Sequence, residues 1–166
     1  YQTPSFYGFS AGASYIADSN SDGANDAYYA ASGDEAYSLA LRYDGAFGDV
    51  SYAVAGGWLS IDSASDDSYN VGGEASYAGF TLGAYWEQNL DASNDYAVGL
   101  AYATGPWTVA GGYSLIEENG APDTDTFAGW VTYALAPGVS TSAGVAHSDN
   151  GVETGYNAMA WMSLNF

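Results

Sequence analysis

The sequence predicts an all-β protein, an antiparallel transmembrane β-barrel with about ten strands. Three observations predict it. Large apolar residues recur at every second position through most of the chain. Charges are missing from the interior of the face that those residues make. Tight turns carrying Gly or Pro alternate with mostly longer connections rich in Asp, Asn and Ser. Period-2 alternation is the mark of a strand with two different environments on its two sides.

The alternation can be followed strand by strand. In Tyr96-Ala97-Val98-Gly99-Leu100-Ala101-Tyr102, large residues take every second place and Ala or Gly fills the rest. Phe80, Leu82, Ala84 and Trp86 repeat the pattern against Thr81, Gly83, Tyr85 and Glu87. So do Trp107, Val109, Gly111, Tyr113 and Leu115. Phe127, Gly129, Val131, Tyr133 and Leu135 make another such face, and Tyr156, Ala158, Ala160, Met162, Leu164 and Phe166 the last. The whole chain read this way gives strands near 7–16, 35–44, 48–60, 67–77, 79–88, 95–103, 106–116, 125–135, 138–147 and 153–166. Each is near the length that crosses a bilayer when tilted.

Asp44 to Gly48, Ala78-Gly79, Thr104-Gly105-Pro106 and Ala136-Pro137-Gly138 read as tight hairpin turns. The remaining connections, near 17–34, 61–66, 89–94, 117–124 and 148–152, hold or adjoin most of the 20 acids. One end of the sheet thus carries turns and the other carries loops, the asymmetry of bacterial outer-membrane barrels. Only Glu74 and Glu87 are expected inside strands, on the Gly/Ser/Thr face, and Arg42 shares that face. An Arg or Lys on the aromatic face at the bilayer midplane would cost about 2–4 kcal/mol. A soluble sandwich also alternates, but its outward face usually carries many Lys and Glu. Tyr15, Tyr37, Tyr43, Trp58, Tyr96, Tyr102, Trp107 and others share the apolar face and gather near strand ends, where a ring can sit in lipid while its hydroxyl or indole N–H meets water.

Composition narrows the function. With one Lys or Arg in 166 residues and a net charge of −19, the chain lacks the cations that nucleic acid or anionic lipid would require. It has no Cys, so neither a disulfide framework nor a thiolate metal site is available. Tyr1-Gln2-Thr3-Pro4 has neither a basic stretch nor an apolar core, so the chain is expected to be a mature protein or a fragment. The uncharged run Thr126–Ser148 is interrupted by Pro137-Gly138 and reads as strands rather than a spanning helix.

The segment Tyr1-Gln2-Thr3-Pro4-Ser5-Phe6-Tyr7-Gly8-Phe9-Ser10 resembles a stretch inside Gram-negative general porins, where a strand ends, turns and re-enters as Gly-Phe. The terminus Trp161-Met162-Ser163-Leu164-Asn165-Phe166 is similar to the last strand of outer-membrane proteins. The acidic, Lys-poor composition is similar to porins of the α-proteobacterial type. The resemblance implies passive diffusion of small hydrophilic solutes or ions, no bond chemistry, a homotrimer, and an outer-membrane setting among lipid and lipopolysaccharide. It also implies that the terminal Phe166 belongs to the signal read by the assembly machinery. General porins close about sixteen strands around an aqueous channel, so the chain is expected to be the C-terminal portion of a larger barrel. The basic cluster and the constricting loop of such porins are expected upstream of it.

Candidate lumen residues are Arg42, Glu74 and Glu87, with Asn70, Tyr85 and Asn157, joined by Thr81 and Thr132. They would bias a pore weakly toward cations, or they form a hydrogen-bond network that holds the wall in shape. Asp18, Asn20, Asp22 and Asp26 match the opening of a D-x-N-x-D-G calcium loop, in which alternate oxygens converge on one hard cation. Tyr29 stands where an EF-hand has its bidentate Glu, and a solvated acidic loop has the same composition. No cofactor is required, and calcium is the candidate ion. The alternative function is a structural or adhesive barrel whose acidic loops bind calcium. His147 and Asp149 are the only His–acid neighbours, and a rim histidine without catalytic duty is the expectation.

Overall fold

A computed structural model describes residues 1–16, 35–62, 64, 66–90 and 92–165. The described strands are β1 (Phe9–Ile16), β2 (Ala36–Phe47), β3 (Val50–Ile61), β4 (Ser68–Tyr77), β5 (Phe80–Asn89), β6 (Ser93–Thr104), β7 (Trp107–Glu118), β8 (Thr124–Ala136), β9 (Val139–Asp149) and β10 (Thr154–Leu164). They form a single antiparallel sheet in which every strand pairs with its neighbours in sequence, in the order β1 to β10. Among the described residues no helix is long and apolar enough to cross a membrane.

Ten strands match the number that the alternation predicts. The difference lies at their ends. β6 begins at Ser93, β7 runs to Glu118 and β9 to Asp149, so several loops are shorter than their polar composition implies. Backbone ladders can continue past the membrane wherever water solvates the side chains. Acidity therefore marks the end of the bilayer rather than the end of the strand.

The tight turns lie at one end. Residues 48–49, 78–79, 105–106 and 137–138 connect consecutive strands, with Gly48, Gly79, Gly105 and Gly138 all at positive φ. Tyr7 and Gly8, at φ 50 and 86, make a fifth turn of this kind just before β1. Phe6 and Phe9 exchange backbone bonds of 2.7 and 2.9 Å across it. From there residues 1–6 run back beside β1: Gln2 pairs with Gly12, and the Ala13 amide donates to the Tyr1 carbonyl at 2.9 Å. The turn near Gly-Phe that the sequence predicts is therefore present, with a strand-like arm before it.

Register separates the faces. One face holds Tyr37, Leu39, Leu41 and Tyr43 opposite Ser60, Trp58, Gly56 and Val54. On β5 and β6, Phe80, Leu82, Ala84 and Trp86 oppose Tyr102, Leu100, Val98 and Tyr96. Most of these large residues are exposed, Leu41 at 67% and Leu100 at 52%, while among the described residues the buried apolar set is Ala36, Ala53 and Ile61. A sheet that exposes its largest apolar side chains in this way requires an apolar solvent.

The aromatic residues form two bands on this face. Phe9–Tyr43, Phe80–Tyr102 and Trp107–Tyr133 have ring centroids 4.5, 4.4 and 4.6 Å apart near the turns. Tyr15–Tyr37 and Tyr113–Phe127, at 5.0 and 4.7 Å, lie near the loops. The same strand supplies both bands: Tyr37 and Tyr43, Tyr96 and Tyr102, and Trp107 and Tyr113 each stand six residues apart. Six residues span about 20 Å of strand. Between the bands lie only aliphatic or small residues, such as Leu39 and Leu41 or Val98 and Leu100.

Candidate functional site

The opposite face is built from small and polar side chains. Across β4–β7, Gly72, Gly83, Gly99 and Gly112 fall on it, flanked by Ala55, Ala97, Ala110 and Ala128. This is the hollow side of the sheet, where a cavity of about 610 Å³ is lined by Arg42, Asn70, Glu74, Tyr85 and Trp130 among others. Directly opposed hydroxyls tie neighbouring strands together here. Ser14 meets Ser38 at 2.7 Å, Ser76 meets Thr81 at 2.7 Å, Thr126 meets Ser148 at 2.8 Å and Thr132 meets Ser142 at 2.8 Å.

The register places all eight predicted lumen residues on this face, Thr81 and Thr132 among the hydroxyl pairs just described. Asn70 stands opposite Glu87, and Tyr85 opposite Gly72. Arg42 pairs with Ala55, whose other neighbour is Gly72, while Glu74 pairs with Ala53 one step toward the turns. These five group on β2, β4 and β5. Asn157 shares the face but lies on β10, opposite Ala146, and lines none of that cavity. The Tyr85 hydroxyl donates to the Glu87 carboxylate.

Several residues join the set that the sequence analysis did not single out. Asp44 follows Arg42 by two positions and receives its guanidinium: Nε donates to Oδ1 at 3.0 Å and Oδ2 at 2.9 Å, and a terminal nitrogen to Oδ1 at 2.6 Å. Asp95 lies directly opposite Glu87 in the β5–β6 register. Both stand at an end of a predicted strand, 35–44 and 95–103, where parity already puts them on this face. Trp130, Met159 and Trp161 also point to the hollow side, around Gly144 and Ser142. A Cβ on Gly144 would lie 2.9 Å from the Trp130 Cβ, so the glycine makes room for the indole's base.

Asp18, Asn20, Asp22 and Asp26 lie outside the described residues, as does Phe166. Among the described residues no cluster of His, Cys, Asp and Glu is arranged to hold a metal. His147 falls on the aromatic face, its ring 4.6 Å from that of Tyr156, and Phe127 opposes it from β8. The Asp149 carboxylate accepts the Gly151 amide at 2.8 Å, which shapes the 150–153 connection.

At the loop end, carboxylates anchor the outer aromatic band. The Asp67 carboxylate accepts Trp58 Nε1 at 2.8 Å and the Tyr69 hydroxyl at 3.4 Å, and Tyr37 and Tyr113 donate to Glu35 and Asp125. Hydrogen bonds from Trp58 and Ser60 hold the Asp67 carboxyl below the usual carboxylate range. A lowered carboxyl stabilises the fold above its unfolded pKa of about 3.9, and that contribution is lost as pH falls through the folded value. Asp67→Asn is therefore expected to lower the urea midpoint at pH 7 and to shrink the difference between pH 7 and pH 3. An unchanged difference would show that Asp67 plays no part in acid sensitivity.

The sequence model of the Gram-negative porin family matches residues 1–152. The chain belongs to that family. Its place is accordingly the bacterial outer membrane, which supplies the apolar solvent that the aromatic face requires. Among solved structures, a porin refined at 1.8 Å is 21% identical, with a TM-score of 0.70 over 100% of this chain and 60% of that one. A mutant of the Rh. blastica porin is 20% identical, with a TM-score of 0.67 over 97% and 52% of the two chains. An anion-selective porin from Comamonas acidovorans is 17% identical, with a TM-score of 0.65 over 99% and 56%. At such identities the likeness establishes the porin fold. The chain spans between 52% and 60% of the length of these solved porins. No curated protein gives a significant match.

Proposed function

We propose that this porin sheet forms part of the wall of a passive diffusion channel for small hydrophilic solutes or ions, weakly selective for cations. The observation that carries the reading is the charge on the hollow face. Asp44, Glu74, Glu87 and Asp95 stand there against a single cation, Arg42, which is already paired with Asp44. Glu87 and Asp95 face one another directly, an arrangement that destabilises an empty sheet but lowers the energy of a cation passing between them. The C. acidovorans porin is anion-selective by its own description, so the shared fold does not set the sign. The side chains on the wall do.

The ten strands are proposed to be the C-terminal portion of a barrel of about sixteen. The greater length of the matched porins supports this, as does the linear order of the described strands, in which β10 pairs with β9. A homotrimer is proposed through the membrane side of β10, where Ala158 and Ala160 present a flat surface beside Val145 and Ala143. Lipid and lipopolysaccharide would cover the rest of the aromatic face.

The test is to extract the intact natural protein in detergent and place it in a planar bilayer across a KCl gradient. Stepwise conductance with a reversal potential of cation sign is expected, and Glu74→Gln with Glu87→Gln should move that potential toward zero. Absence of conductance steps would sink the pore reading. Steps with an anion-signed potential would sink only the selectivity.

A further inference from the structure

We propose that Asp44 is a positioning residue for ion selectivity: it clamps Arg42 to the wall, so that the only cationic side chain of this chain is withheld from anions in the channel. This rests on the diffusion-channel reading and assigns the sign of its selectivity to one contact. The argument begins with charge. A lone guanidinium on the wall of a water-filled pore would attract anions and offer them several N–H donors in a planar fork. Arg42 lines the cavity on the hollow face and half of its side chain is exposed there. Left free, it would oppose the carboxylates around it.

It is not free. Residues two apart on one strand lie on the same face, so Asp44 is within reach of Arg42 without any displacement of the backbone. Nε and one terminal nitrogen both bond to the Asp44 carboxylate, between 2.6 and 3.0 Å. A bidentate pair fixes orientation as well as charge. The carboxylate itself is held on a stiff part of the wall. The Asp44 amide donates to the Gly8 carbonyl at 2.8 Å, and Ala53 pairs with it from β3. Glu74 lies on the far side of Ala53, close enough for its charge to bear on Arg42. Two acids, Asp44 and Glu74, therefore stand in one row a step toward the turns from Arg42, whose donors are turned along the strand to Asp44. An anion would have to displace Asp44 while repelled by Glu74.

Three variants of the intact protein separate this from a general effect of charge. Asp44→Asn and Glu87→Gln each remove one negative charge from the same face. Asp44→Asn should reduce the ratio of K⁺ to Cl⁻ permeability several-fold more than Glu87→Gln does, because it also releases the guanidinium. Adding Arg42→Gln to Asp44→Asn should return the ratio close to that of the parent, and Asp44→Glu should retain most of it. A second measurement does not depend on current. Phenylglyoxal modification of the Arg42 peptide, followed by mass spectrometry in detergent, should be slow in the parent and several-fold faster in Asp44→Asn. Equal effects of Asp44→Asn and Glu87→Gln, or an Asp44→Asn effect that survives removal of Arg42, would overturn the role of Asp44. Equal phenylglyoxal rates would overturn the clamp itself. A parent that passes no current would overturn the channel reading, and the selectivity role of Asp44 with it.

Discussion

Leu100→Arg is expected to abolish insertion of most of the protein into lipid, while Ala101→Arg, one residue along, inserts with nearly the parent yield. Leu100 stands on the aromatic face between the bands marked by Tyr96 and Tyr102, opposite Leu82 and Gly111. An arginine there would meet hydrocarbon, at about 2–4 kcal/mol near the midplane. At about 1.4 kcal/mol per decade, that lowers the inserted-to-free ratio by about 30- to 1,000-fold. Ala101 faces the hollow side between Thr81 and Ala110, where an arginine stays out of the hydrocarbon. Folding into vesicles, followed on unheated gels and by urea titration, distinguishes the two. Equal yields would mean that the faces have been assigned the wrong way round.

The second large effect is expected at a turn. Gly79→Ala should destabilise the sheet by about 1–3 kcal/mol, whereas Gly105→Asn should be close to neutral. Both glycines have positive φ, at 85 and 54. Only the second lies near the conformation that an L-residue tolerates, and Asn tolerates it best. Their surroundings differ as well. A Cβ on Gly79 would come 2.5 Å from the Ala103 carbonyl oxygen, while nothing lies within 4 Å of one on Gly105. The crowding has a cause: the Gly79 carbonyl accepts the Ala103 amide at 2.8 Å, which draws the turn against the end of β6. Gly138 repeats this with Asn165. Urea midpoints of the two variants provide the check. Similar losses in both would remove the close carbonyl as the cause.

Strand number, order and the two faces were legible because each strand lies between lipid and water. Two solvents on opposite sides impose a period of 2 that no buried core blurs, and β6 shows it without interruption from Tyr96 to Tyr102. The wall residues Arg42, Asn70, Glu74, Tyr85 and Glu87 follow from parity alone. What parity cannot convey is where a strand ends, since Glu118 and Asp149 belong to the ladder although they are acidic. The Glu87–Asp95 opposition was not foreseen because parity does not supply the register between two strands. Nor does parity rank the residues that share a face. Asp44 was read as the flank of a turn, and only the geometry of its carboxylate shows what it does to Arg42. Trp130 and Trp161 were not read as wall residues because most aromatic residues mark the membrane side, and these two, like Tyr85, do not.

The strictly sequential pairing of the strands bears on how such a wall can change over time. Among the described residues no strand depends on a distant one for its hydrogen bonds, so a hairpin is a module with a turn at one end and a loop at the other. Duplicating or deleting one leaves every other register intact. Because barrel diameter grows almost linearly with strand number, each such event widens or narrows the bore by one fixed increment. In the proposed barrel the circumference is thus set by counting hairpins, and gaining or losing one demands new pairing only where it joins its neighbours.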